Sequence, residues 1–115
     1  MSILNLITKL TESVDSFHQR FDITGPATRA ELLSRIPIQS EEVTELNKAI
    51  LEESDDHIAQ EAIDVLYVAL GTVLRLDSLT TEQAMLQVIA KNDAKTTDTH
   101  HLSLAGKVVK KTQTG

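Results

Sequence analysis

A chain of 115 residues with a formal net charge of −6 and no cysteine is long enough for one hydrophobic core and excludes disulfides and thiolate metal sites. The acidic balance argues against a nucleic-acid polymer as partner, since that needs a basic face. Aromatic residues make up only 3% of the chain, so its core must come from Leu, Ile, Val and Ala, and two prolines and four glycines suit packed helices.

The first segment, "MSILNLITKL", lacks a basic stretch, and Asn5, Thr8 and Lys9 interrupt its apolar residues. It does not read as a signal peptide, and no stretch is long enough to span a membrane. The expectation is a cytoplasmic protein without a membrane partner. Ile3, Ile7, Leu10, Val14, Phe17 and Phe21 recur at alternating steps of four and three, which predicts a helix with a heptad seam ending near Asp22. Such a seam fits a dimer interface or an intramolecular core helix equally.

Thr28 and Glu31 have capping-box spacing and predict a short helix through "RAELLSR". Pro37 suits a first helical position better than a helix interior. A separate helix is therefore expected from Pro37 to about Glu53, with Val43, Leu46 and Ile50 as its buried stripe. "ESDDH" reads as a turn in which Asp55 or Asp56 caps a central helix over 56–76. "LDSLTTEQ" breaks the chain again, with Thr80 and Gln83 as a further capping box. The last helix carries Met85, Val88 and Ile89 on one face and should end around Lys95. "TTDTHHLSLAGKVVKKTQTG" has no helical period; it is either a small hairpin about Ala105 and Gly106 or a tail that orders on ligand binding. The expected architecture is a single all-α domain over residues 1–115, four-helix-bundle-like, with a short non-helical C-terminal tail.

Within this frame the acidity is local. Glu41, Glu42, Glu45, Glu61 and Asp64 carry most of the net charge, and an ordinary solvated face would account for that as well. Spacing favours a site. Glu42 and Glu45 are three apart on one helix, as are Glu61 and Asp64 on the next, and residues at i and i+3 share a face. On the central helix His57, Glu61, Asp64, Thr72 and Arg75 form a narrow polar stripe among apolar residues, so the stripe lines a cavity rather than open water. Gly71 at its edge admits a close neighbour or ligand. Four converging carboxylates repel one another unless cations neutralise them. All-oxygen ligands suit Mg2+ or Mn2+, and magnesium held by few carboxylates takes further ligands from phosphate oxygens. A di-iron bundle needs Glu-x-x-His, which is absent. A phosphate ester or anhydride is the expected substrate.

"EEVTEL" followed by "EAIDVLYVALGT" resembles the Glu-x-x-Glu … Glu-x-x-Asp signature of the all-α nucleotide pyrophosphohydrolases, which include MazG-like enzymes, dimeric dUTPases, dCTP pyrophosphatases and phosphoribosyl-ATP pyrophosphohydrolases. "FHQRF", Arg35, "KNDAK" and "GKVVK" are similar to a small MazG-like, phosphoribosyl-ATP-pyrophosphohydrolase-like subgroup, so the likeness runs from about Phe17 to Lys111.

The resemblance implies a MazG-type fold dimerising through helices, as a homodimer or dimer of dimers. It implies magnesium-dependent hydrolysis of a nucleoside triphosphate between the α- and β-phosphates, with Mn2+ as a substitute and nucleotide-pool housecleaning as a role. Its metal ligands fall on Glu42, Glu45, Glu61 and Asp64, with Glu41 as an extra carboxylate that orients water. Arg35, Asn92, Lys95 and Lys107 would bind substrate, and His18 and Phe21 would border the base pocket. The competing expectation is a catalytically weak helical module that binds a nucleotide or a protein through the same groove.

Overall fold

The computed structural model describes residues 2–112 and is all-α apart from one short hairpin. In chain order the elements are α1 (Ile3–Arg20), α2 (Arg29–Glu52), α3 (Asp55–Val73), α4 (Ser78–Asp93), β1 (His100–Leu102) and β2 (Val108–Lys110). The chain divides into two compact units, Met1–Ser78 and Leu79–Gly115. Among the described residues, no helix is long and apolar enough to cross a membrane.

In the first unit, α3 packs against both α2 and α1, and more extensively against α2. The Ser2 hydroxyl starts α1 by accepting from the Asn5 amide at 3.2 Å. Asp22, in the left-handed region at φ 57°, ends it: its amide donates to the Gln19 carbonyl and that of Ile23 to the His18 carbonyl. Of the heptad seam, Val14 is fully buried, whereas Ile3 and Phe21 are 75% and 61% exposed. Phe17 joins α1 to α3 through an edge contact with Tyr67 at 6.2 Å between ring centroids, and the Tyr67 hydroxyl donates to the Ser13 carbonyl.

The Thr28–Glu31 capping box forms in both directions, but the break expected at Pro37 does not occur. α2 runs uninterrupted from Arg29 to Glu52 with Pro37 inside it. Proline there removes one backbone bond and costs about 3 kcal/mol. Packing along α3 offsets that, and Leu33, whose carbonyl loses its partner, is exposed to water. The buried stripe also differs from expectation. Val43 and Ile50 are largely exposed, and α2 instead turns Arg35, Gln39, Glu42, Leu46 and fully buried Ala49 inward, again at steps of four and three.

The cap of α3 is Ser54, without a side-chain hydrogen bond, and Asp55 and Asp56 sit in the first turn, where their charge suits the helix dipole. The helix stops at Val73, short of the expected residue 76, in a turn through Leu76. In the second unit, α4 starts two residues before Thr80, so the expected Thr80–Gln83 box is not its start, and it ends at Asp93. Met85, Val88 and Ile89 remain about half exposed. Of the two readings of the tail, the hairpin forms: His100 pairs with Lys110, His101 with Val109 and Leu102 with Val108. Gly106, at φ 83°, supplies the positive φ that its turn needs.

Candidate metal centre

The short connection at Glu53 and Ser54 sends α3 back antiparallel along α2, which brings the two acidic pairs side by side. Glu42 and Glu45 from α2 and Glu61 from α3 each offer a carboxylate oxygen, and these oxygens lie within 4.8 Å of one another. Glu42 and Glu61 are half-buried, and the Oε2 atom of each is buried without a hydrogen-bond partner. A buried, unpaired carboxylate oxygen is costly unless something positive meets it. Desolvation, then Glu45, Asp64, Glu61 and Glu41, push the Glu42 carboxyl above its usual range. Glu45 is exposed as a residue, yet loss of water at its carboxyl is the largest cause of its own upward shift, followed by Glu61 and Glu41.

This donor set fits a hard divalent cation such as Mg2+ or Mn2+: the ligands are all oxygen, mutually close, and two point inward unsatisfied. Asp64 is exposed and lies outside the converging trio, although near enough to raise Glu42. Glu41 is exposed as well. His57 stands behind the cluster, with Nδ1 on Glu53 and Nε2 3.3 Å from Glu61 Oε1.

Two turns along α2 from Glu42 the same seam turns basic. Arg35 donates from Nε to Thr72 Oγ1 at 2.8 Å and from Nη2 to the Val68 carbonyl at 2.9 Å. Thr72 in turn donates to Gln39 Oε1 at 2.6 Å. Arg75, 5% exposed, donates to Glu31 Oε2 at 2.6 Å and to the Gly25 carbonyl at 2.9 Å, while its own carbonyl accepts from the Ala27 amide. It thereby ties the α1–α2 loop to the end of α3. His18 is buried beside these arginines; desolvation first, then Arg35 and Arg75, hold its ring below the usual histidine range. Of the polar stripe expected to line a cavity, Arg75 is buried and Thr72 and Glu61 are half-buried, whereas His57 and Asp64 are exposed to water. Gly71 does admit close neighbours, Arg35 and His18.

The other residues expected in the site are more scattered. Phe21 is exposed and meets Phe17 in a tilted ring contact at 4.8 Å between centroids, whereas His18 turns to Gly71. Asn92, Lys95 and Lys107 belong to the second unit. There Lys95 Nζ donates to Asn92 Oδ1 at 3.2 Å and borders an open cleft of about 330 Å3 with Thr96, His100 and His101. Gln39 was missed by sequence reasoning. Its position, four residues after Arg35 and three before Glu42, was the available signal, obscured because an amide resembles neither a ligand nor a core residue.

Among known proteins, the family model described as phosphoribosyl-ATP pyrophosphohydrolase matches residues 14–92, more than half of the chain. The matched span contains all five acidic residues of the cluster region together with His18, Arg35 and Asn92, and ends before Lys95 and Lys107. No curated protein and no solved structure matches.

Proposed function

This chain belongs to the phosphoribosyl-ATP pyrophosphohydrolase family, hydrolases of phosphoric anhydrides, and on that premise we propose that its substrate is a nucleoside triphosphate. The bond cleaved lies between the α- and β-phosphates, giving a nucleoside monophosphate and pyrophosphate. The observation that carries this reading is the convergence of Glu42, Glu45 and Glu61 with two buried, unpartnered oxygens.

Glu42, Glu45 and Glu61, with Asp64 at the rim, would hold Mg2+, or Mn2+ in its place. A divalent cation bound there supplies charge neutralisation for the phosphate oxygens. Glu41 is the carboxylate assigned to orient the attacking water by accepting its proton in a hydrogen bond. Arg35 is assigned to substrate binding, and His18 and Phe21 to the base pocket. Asn92, Lys95 and Lys107 offer amide and ammonium donors suited to phosphate oxygens. Residues 1–115 are read as one functional domain in the cytoplasm, serving nucleotide-pool housecleaning. The exposed Ile3, Leu6 and Ile7 on α1 support assembly as a homodimer or dimer of dimers.

The test is a panel of ribo- and deoxynucleoside triphosphates, with phosphoribosyl-ATP, assayed with Mg2+ and then with EDTA, reading pyrophosphate separately from phosphate. Magnesium-dependent pyrophosphate from one or a few substrates is the expected result. Phosphate without pyrophosphate, or turnover that survives EDTA, refutes the assignment. Binding without turnover moves the chain to a nucleotide-binding role.

A further inference from the structure

The carboxylate cluster needs something to hold it together. Without a cation, Glu42 and Glu45 repel Glu61, and the apolar contacts along two antiparallel helices are non-directional, so they resist sliding only weakly. Directional contacts of this seam lie elsewhere, around Gly71 and, beyond it, between Arg75 and Glu31. A Cβ on Gly71 would stand 2.7 Å from Arg35 Nη2 and 3.0 Å from His18 Nε2. The bare backbone of α3 is therefore the floor on which a guanidinium from α2 and an imidazole from α1 rest.

From that floor Arg35 reaches Thr72 Oγ1 and the Val68 carbonyl, and the Thr72 hydroxyl spends its proton on Gln39 Oε1. Each bond joins α2 to α3 at a defined height. Arg35, Gln39 and Glu42 lie on one face of α2, so fixing the first two against α3 fixes the height at which Glu42 and Glu45 meet Glu61. The bonds from Arg35 to the Thr72 hydroxyl and the Val68 carbonyl set the geometry of its guanidinium.

We propose that Gly71, Thr72, Gln39 and Arg35 form a register lock that positions Glu42 and Glu45 opposite Glu61 for the cation. The inference rests on the metal reading above. Thr72 and Gln39 are positioning residues: they act through the helices, not on the substrate.

The lock is tested in the full chain with Thr72→Val, Thr72→Ser and Gly71→Ala, measuring Mn2+ binding by calorimetry without substrate. Thr72→Val and Gly71→Ala should weaken Mn2+ about tenfold or more, as loss of groups that orient metal ligands does. Thr72→Ser, which keeps the hydroxyl, should restore wild-type affinity. Circular dichroism checks that each variant is folded; should Gly71→Ala misfold, the Thr72 pair carries the test.

A second readout needs no metal. The chain has no cysteine, so Glu45→Cys with Glu61→Cys can be joined by a short thiol cross-linker, and adding Thr72→Val should slow the cross-link severalfold. Wild-type Mn2+ affinity and an unchanged cross-linking rate in Thr72→Val overturn the lock. If the otherwise unmodified protein does not bind Mn2+, the metal reading fails, and the cross-linking rates alone decide for or against the lock.

Discussion

The helix α3 meets its two neighbours through unlike surfaces. Against α2, the helix and the turn that follows it present a polar seam in which Arg75 meets Glu31 and Arg35 meets Thr72 and Val68, while at the carboxylate end buried oxygens are left unsatisfied. Against α1 it presents a mainly apolar groove of about 520 Å3, lined by Ile3, Leu6, Ile7, Leu10, Ile63 and Leu66 together with Lys9 and Ser13, and open to solvent. The first surface is held by directional bonds between named atoms and is nearly complete within one chain. The second depends on area, which a helix pair of this size does not supply. On the proposed function the seam would carry the chemistry, and the groove would be the apolar surface available for assembly.

The largest expected effect breaks the seam at its acidic end. Glu61→Gln should reduce pyrophosphate release by at least about a hundredfold, since it removes a ligand charge from the cluster. The metal-free variant should melt no lower than the parent, because repulsion is relieved. An equally active variant would sink the metal assignment.

The next prediction breaks the groove. Ile7→Glu places a charge in the apolar face and should convert the assembly to monomers in sedimentation at micromolar concentration, with catalytic residues untouched. A parent chain that already sediments as a monomer would refute the groove's role.

A smaller effect probes the basic end of the seam. Arg75→Met removes bonds to Glu31 and Gly25 and should cost about 2 kcal/mol in urea unfolding. Glu31→Gln should cost clearly less than that, because the Glu31 side chain is half exposed and its ion pair is screened. Equal losses from the two would show that the pair, not the loop contact at Gly25, carries the effect.

The smallest effect is a pH dependence of the metal-free protein. Glu42 and Glu45 have raised pKa values, so between the unfolded and folded values the folded chain holds more protons. Stability should therefore fall as pH rises from the ordinary glutamate range through the raised values. His18 works the other way: its pKa is lowered, so stability falls as pH drops below the ordinary histidine range. Urea midpoints across this range, with and without Mg2+, separate the two. Glu42→Gln should flatten the first limb, and an unchanged limb would contradict the burial of that carboxyl.

Much of this was legible in the residues. The 3.6-residue period placed Glu42 with Glu45 and Glu61 with Asp64, and the bare edge at Gly71 announced a close approach that Arg35 and His18 fill. The family signature was readable because it lies within two contiguous helical stretches. Pro37 misled because its local cost is real, and only packing along α3 shows why the helix continues through it. Hydrophobicity at Val43 and Ile50 does not mark the inward stripe of α2, because Arg35, Gln39 and Glu42 turn inward instead.

The sequence by itself determined the helical character of the chain, the acidic pairs and the family, since each is a matter of local spacing along one chain. Only the tertiary structure decided which carboxylates meet. Glu61 joins Glu42 and Glu45 while Asp64, one turn away, stays at the exposed rim. Spacing fixes the face on which a side chain lies, but the register and roll of one helix against another are set by contacts such as Arg35 on Gly71 and Thr72, between residues far apart in the chain.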